Sequence, residues 1–202
     1  MSKTGSTTGS RGPKRYEVGP RLIACAIICE IARAMLFSIA NAREPRGAEI
    51  TDLAASPAVV ERVLQLVNRA RLQGRRCGRE WHQATTALAR SATLEKAARI
   101  HADDMAANAW FEHRGFDGSS PTQRLARTGY IWRLTGENIA YGPTSADEVV
   151  NGWLGSPGHC ANIMDPRFSE MGVAYAFGRT RGRPLYWAQT LAAPHKPATS
   201  AR

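Results

Sequence analysis

Residues 153–174, W-L-G-S-P-G-H-C-A-N-I-M-D-P-R-F-S-E-M-G-V-A, decide how the rest of the chain is read. A helix ends at the start of this stretch. Ser156-Pro157-Gly158 predicts a turn that presents His159, Cys160 follows at once, and a strand begins near Glu170. A histidine held between a packed helix and a packed strand has the rigid support that a binding or catalytic group needs. Cys160 beside it reads as a staple from this turn to a distant part of the chain.

Working outward, Met171, Val173, Tyr175 and Phe177 alternate with Gly172, Ala174 and Ala176. That period of two predicts a strand whose second face is lined by small residues, against which something packs closely. G-R-T-R-G-R-P (178–184) is a hairpin loop and L-Y-W-A-Q-T-L-A (185–192) the returning strand. Upstream, Ser145 to Glu148 forms a capping box for a helix that packs through Val149, Val150, Trp153 and Leu154. Before it, G-Y-I-W-R-L-T-G-E-N-I-A-Y-G (129–142) carries Glu137 among Trp132, Leu134, Ile139 and Tyr141. Glu137 is either an exposed loop carboxylate, a partner for Arg133, or a half-buried acid. The apolar surroundings favour the last, which requires a hydrogen-bonded or cationic partner.

The first half of the domain reads as helices. Ser56-Pro57 is an N-cap with proline at the first helical position, and Val60, Val63, Leu64 and Val67 recur at helical spacing up to Gly74. A loop with Cys77 and Trp81 follows. Ser91 opens a second helix to about Ala109, with Leu94, Ala98, His101 and Met105 on one face; His101 is read as a hydrogen-bonded core residue. His113 lies beyond, in W-F-E-H-R-G-F-D-G (110–118), where aromatic walls and a polar tip make a better site candidate. Ser120-Pro121-Thr122-Gln123 is another capping box, opening a short helix closed by Gly129.

Segmentation follows composition. Residues 1–20 carry no periodicity and read as disordered. Residues 21–42 combine a basic flank, an apolar run from Leu22 and the small-residue box Ala40-Asn41-Ala42, the pattern of a secretory signal. Glu30 and Arg33 interrupt the run. They would cost a spanning helix even more, about 2.5–3.5 kcal/mol per central charge. An N-terminal membrane anchor and a mis-assigned start are the alternatives. Residues 43–56 are a linker, 57–193 the folded domain and 194–202 a loose tail. With the leader removed, Cys77 and Cys160 remain, an even pair suited to an oxidising compartment; two buried free thiols are the alternative. The 202 residues carry a net charge of +10 and are 43% hydrophobic, enough for a core. Residues 57–193 hold 17 Lys and Arg against 12 Asp and Glu, net +5, so the excess is diffuse. Without a basic stripe or motif, a nucleic-acid partner is excluded. A monomer is expected.

F-E-H-R-G-F-D-G-S-S-P, G-E-N-I-A-Y-G, W-L-G-S-P-G-H-C-A-N-I-M and E-M-G-V-A-Y-A, in this order, resemble the bacterial, SCP-like extracellular branch of the CAP superfamily of cysteine-rich secretory, antigen and pathogenesis-related proteins. The resemblance covers roughly residues 57–193. It implies an α+β fold, an α-β-α sandwich with a three-stranded antiparallel sheet between helical layers, and a protein secreted to the periplasm or outside the cell. It also implies a cavity of two histidines and two glutamates. His113 matches the first histidine, Glu137 the glutamate of G-E-N and His159 the second histidine. Ser156 stands where the second glutamate would fall, so the tetrad is incomplete. Cys77 and Cys160 match the disulfide of similar bacterial members.

Two imidazoles and one carboxylate have the composition of a three-ligand zinc site with an open position. His113 and His159 are therefore expected to hold zinc or another divalent cation, with Glu137 as third ligand, as base or as the carboxylate that orients a ligating histidine; a metal- or serine-assisted hydrolase, the latter through Ser156, is the enzymatic alternative. The alternative is a hydrogen-bonded cluster that ties the G-E-N segment to the G-H turn. No H-E-x-x-H helix or G-x-S-x-G elbow supports an ordinary protease. The family's association with lipids and sterols favours a module that binds a small amphipathic ligand, a lipid, a sterol or a cell-wall or membrane component. Trp110, Phe111, Trp132, Tyr141 and Trp153 lie near the site in sequence, most of them read as core and a few as the lining of a groove.

Overall fold

The computed structural model describes residues 56–195. The expectations for residues 1–20 and 21–42, nearly all of the 43–56 linker and most of the 194–202 tail fall outside them.

The elements in order are α1 (Pro57–Gln73), β1 (Arg75–Cys77), β2 (Glu80–His82), β3 (Ala89–Arg90), α2 (Ala92–Asn108), α3 (Pro121–Ala126), β4 (Trp132–Tyr141), α4 (Ala146–Gly155), α5 (Pro157–Met164), β5 (Glu170–Phe177) and β6 (Leu185–Pro194). The main sheet has the order β3-β5-β6-β4. Its three long strands pair antiparallel, as expected, but the two-residue β3 adds a parallel fourth strand on β5, and β1 and β2 form a separate ribbon. The parallel addition was not visible as a strand because two residues carry no period.

The strand alternation sorts side chains between two helical layers. Met171, Val173, Tyr175, Leu185, Trp187 and Leu191 face a core shared with α1, α4 and α5, which supply Val60, Val63, Val67, Val149, Val150, Trp153 and Ile163. Ala174 and Ala188 of β5 and β6 face α2 through Ala98, Ala102, Met105 and Ala106. The small face of β5 is needed for this approach. A Cβ on Gly172 would lie 2.1 Å from the Glu95 nitrogen and 2.3 Å from the Leu94 carbonyl carbon. The result is the α-β-α sandwich.

Three local expectations change. Ser56 caps α1 without a side-chain hydrogen bond; its own N–H instead donates to the Tyr175 hydroxyl at 3.1 Å. The G-E-N segment is not a loop but the centre of β4, paired residue for residue with β6 from Leu134 to Tyr141. Ser156-Pro157-Gly158 is not a free turn but the start of α5, with Ser156 as N-cap and Pro157 at the first helical position. His159 and Cys160 therefore sit in a helix.

Arg71 of α1 anchors that helix from below. It is fully buried and donates to the carbonyls of Thr86, Ile163, Asp165 and Phe168, at 2.7–3.1 Å. Burial lowers its pKa to about 10, with Asp165 opposing. A cation at the C-terminal end of α5 matches the helix dipole. Cys77 of β1 and Cys160 of α5 are joined by a disulfide across 83 positions of sequence, so α5 is fixed at both ends.

Candidate functional site

The site assembles around β4, which is an edge strand of the sheet. Alternation sends Glu137 toward α2 and Asn138 toward the opposite layer. Asn138 donates to the Gln189 side-chain oxygen of β6 at 2.9 Å and to the His159 carbonyl at 3.2 Å. Asn162 of α5 donates to the Asn138 side-chain oxygen at 2.9 Å and to the Glu137 carbonyl at 3.2 Å. These amides lock α5 against the edge of β4. Asn138 and Gln189 are fully buried, so each lost bond would leave an unpaired polar group.

Glu137 is 9% exposed and both of its oxygens are engaged. Oε1 lies 2.9 Å from His113 Nδ1 and 3.7 Å from His101 Nε2. Oε2 accepts from Arg124 Nη2 at 2.8 Å. Arg124, in α3, is 2% exposed; it also donates to the carbonyls of Ser119 and His113, each at 2.9 Å. One guanidinium thus neutralises the buried acid and clamps both ends of the loop carrying His113. The capping box at Ser120 and Gln123, predicted from sequence, is present and fixes the helix from which Arg124 reaches. Arg133, the partner first considered for Glu137, is not used.

The three histidines differ in environment. The His113 side chain is half exposed, and its pKa is raised, first by the hydrogen bond to Glu137. His101 is fully buried, and its pKa is lowered, first by burial. Its Nε2 meets the Glu112 carbonyl at 3.0 Å while Nδ1 has no partner, which agrees with a core histidine that also abuts Glu137. His159 is half-buried and is held below its ordinary pKa by burial and then by the charge of His113. The hydrogen bond to Glu137 belongs to His113, and His159 does not line the depression that His113 borders. Ser156 caps α5 through its backbone, its carbonyl accepting from Cys160 N–H at 2.8 Å, and its side chain makes no capping bond.

His113, Arg114, Gly118, Ser120, Pro121 and Gln123 line an open depression of about 510 Å³. Its wall mixes polar and apolar surface, and His113 is the point at which the buried network surfaces.

Glu137 does not fit the role of a direct ligand for the expected divalent cation. A metal at Glu137 would face a guanidinium 2.8 Å from the same carboxylate. Among the described residues, no group of three His, Cys, Asp or Glu is arranged to hold a metal ion. Arg124 is the residue that the sequence reading missed. Its only sequence signal is its position beside buried Leu125 in a short helix that a capping box fixes.

Residues 64–191 match the family model described as CAP, the cysteine-rich secretory protein family. An uncharacterised protein of Bacillus subtilis, YkwD, is 39% identical over 83 residues, which cover 41% of this chain and 32% of that protein. The chain spans 30% to 50% of the length of the curated relatives it matches. Among solved structures, an extracellular protein of Bacillus anthracis containing an SCP domain is 25% identical, with a TM-score of 0.55, covering 66% of this chain and 39% of that one. An outer surface protein of Borrelia burgdorferi is similar in fold, at 21% identity and a TM-score of 0.59, covering 74% of this chain and all of that one. Among the described residues, no helix is long and apolar enough to cross a membrane. With the family match extending over more than half the chain and the sandwich in place, the chain belongs to the CAP, or cysteine-rich secretory protein, family.

Proposed function

We propose that this chain is an exported binding module whose depression beside His113 takes a small amphipathic ligand: a lipid, a sterol, or a component of the cell wall or membrane. The observation that carries this is the fixed, half-exposed His113 at the edge of the depression. Glu137 accepts from Arg124 and holds the His113 ring from beneath, which makes it a positioning group for that imidazole. What faces solvent is an imidazole beside a shallow wall of mixed polar and apolar surface, which suits an amphipathic ligand. Export is supported by the leader-like sequence at 21–42, by the Cys77–Cys160 disulfide, and by similarity to an extracellular protein and an outer surface protein.

The test is a titration of the full chain with lysophosphatidylglycerol, cholesterol hemisuccinate and soluble peptidoglycan fragments, followed by amide and imidazole NMR shifts. One of these ligands should move His113, Arg114 and Gln123 together, and His113→Ala should weaken that binding about tenfold, the loss of one charge-assisted contact. Hydrolysis of casein or of a generic ester that disappears in Glu137→Gln would reject the binding reading in favour of an enzyme.

A further inference from the structure

Large aromatic side chains are exposed in two neighbouring groups around the loop 110–118 and the end of β4. Phe116 is 62% exposed, Tyr141 52%, Phe111 45% and Trp110 38%. Trp110 and Phe116 meet edge to face at 6.1 Å, Phe111 meets Tyr141 at 5.9 Å, and Tyr141 meets Tyr186 at 4.9 Å. The loop that holds three of these rings is rigid: Trp110 Nε1 donates to the Arg114 carbonyl at 2.8 Å, and Phe116 N–H to Asp104 at 2.7 Å.

The turn between β5 and β6 is basic, with Arg179, Arg181 and Arg183 exposed. Arg183 lies over the Phe177 ring at 4.8 Å, on the sheet face opposite the aromatic group. The turn begins at Gly178, where a Cβ would lie 3.0 Å from the buried Tyr186 ring that Tyr141 packs on. Exposed Arg114 lies within the aromatic loop itself. Two nearby acids are already engaged: Asp104 with Phe116 and Asn108, and Asp117 with Ser119 and Arg127. Glu112 is the remaining exposed acid of the loop.

We infer that the aromatic surface of Trp110, Phe111, Phe116 and Tyr141, with the arginines of the β5–β6 turn, docks on an anionic phospholipid bilayer. Aromatic rings partition into the interfacial zone of a bilayer, and nearby arginines are attracted to its surface charge. A glycan chain is the less suitable partner. The Trp110 indole N–H is spent inside the loop, and Phe111 and Phe116 have no hydrogen-bonding group to offer hydroxyls. This face adjoins the depression and shares Arg114 with it, so the test reads Trp110, Phe116 and the β5–β6 turn, none of which lines the depression.

The test uses the full chain with phosphatidylglycerol vesicles whose acyl chains are brominated, reading quenching of tryptophan emission. Trp110 should be quenched, and Trp110→Phe should remove most of the quenching. Because the N-terminal stretch is identical in both proteins, the difference reports on this face. Phe116→Ser should weaken binding about tenfold, and Arg179→Gln with Arg181→Gln severalfold per charge, with binding falling in salt. Phosphatidylcholine vesicles should quench less. Equal quenching of wild type and Trp110→Phe, absence of quenching, or variant-sensitive retention on peptidoglycan without vesicle binding would each overturn the inference.

Discussion

Replacing Arg124 by methionine keeps most of the side-chain volume and removes the cation. In the native site this guanidinium is 2% exposed and makes three hydrogen bonds, to Glu137 Oε2 and to the carbonyls of Ser119 and His113. Its loss strands a carboxylate that is itself 9% exposed. Breaking a buried ion pair from one side costs about 3–5 kcal/mol, because the remaining charge is uncompensated. For a domain of this size that is a fall in Tm of roughly 10–15 °C. The penalty belongs to the stranded charge, so removing Glu137 as well should recover part of it. Arg124→Met with Glu137→Met should be more stable than Arg124→Met alone, with a coupling energy of about 2 kcal/mol. Urea unfolding followed by far-UV circular dichroism, with the disulfide intact, measures all three variants. A cost below about 1 kcal/mol for Arg124→Met, or a double variant less stable than the single one, would refute the claim that the guanidinium neutralises Glu137.

The raised pKa of His113 has a defined sign in stability. A histidine whose folded pKa lies above its unfolded value contributes fully below about pH 6.5 and loses that contribution as pH rises through the folded pKa. His101 and His159, held low by burial, act in the opposite sense, losing stability as pH falls through and below about 6.5. Subtracting the Tm–pH curve of His113→Asn from that of wild type should therefore leave a stabilisation that fades on the alkaline side, and a flat difference would exclude the His113–Glu137 bond. Cys160→Ser opens a loop of 83 positions and should cost about 4.6 kcal/mol by the chain-entropy estimate, read from urea midpoints with and without reductant. Gly172→Ala should fail to fold or lose more than about 3 kcal/mol, since its methyl meets backbone atoms of α2 at 2.1 Å and 2.3 Å; near-native Tm would show that α2 can shift away.

Much of this architecture was legible because it is local. The alternation over residues 171–177 identified β5 and its small face, and the capping box at Ser120 identified α3. The even cysteine pair and the motif order pointed to the Cys77–Cys160 link and the family. Two elements were misread for physical reasons. Ser-Pro-Gly is turn chemistry, but the same proline suits the first position of a helix, and only packing of Ile163 and Met164 against the core decides between them. The G-E-N segment is polar on both faces because, at the sheet edge, one face meets the Arg124 network and the other the Asn138–Gln189 amides, so its period was masked. Arg124 itself was hidden because an arginine on a short helix reads as solvated. Its burial depends on an acid 13 positions away on another element.

The central claim is that an arginine, rather than a metal, balances the acid beneath His113. Long-range proton–nitrogen spectra of the histidine rings, recorded across pH and then with added zinc, test it directly. The account predicts that His113 titrates above its ordinary value, drops in Glu137→Gln, and is left unmoved, along with His159, by zinc. Stoichiometric zinc shifts of both imidazoles, or a His113 that titrates at or below its ordinary value, would contradict it.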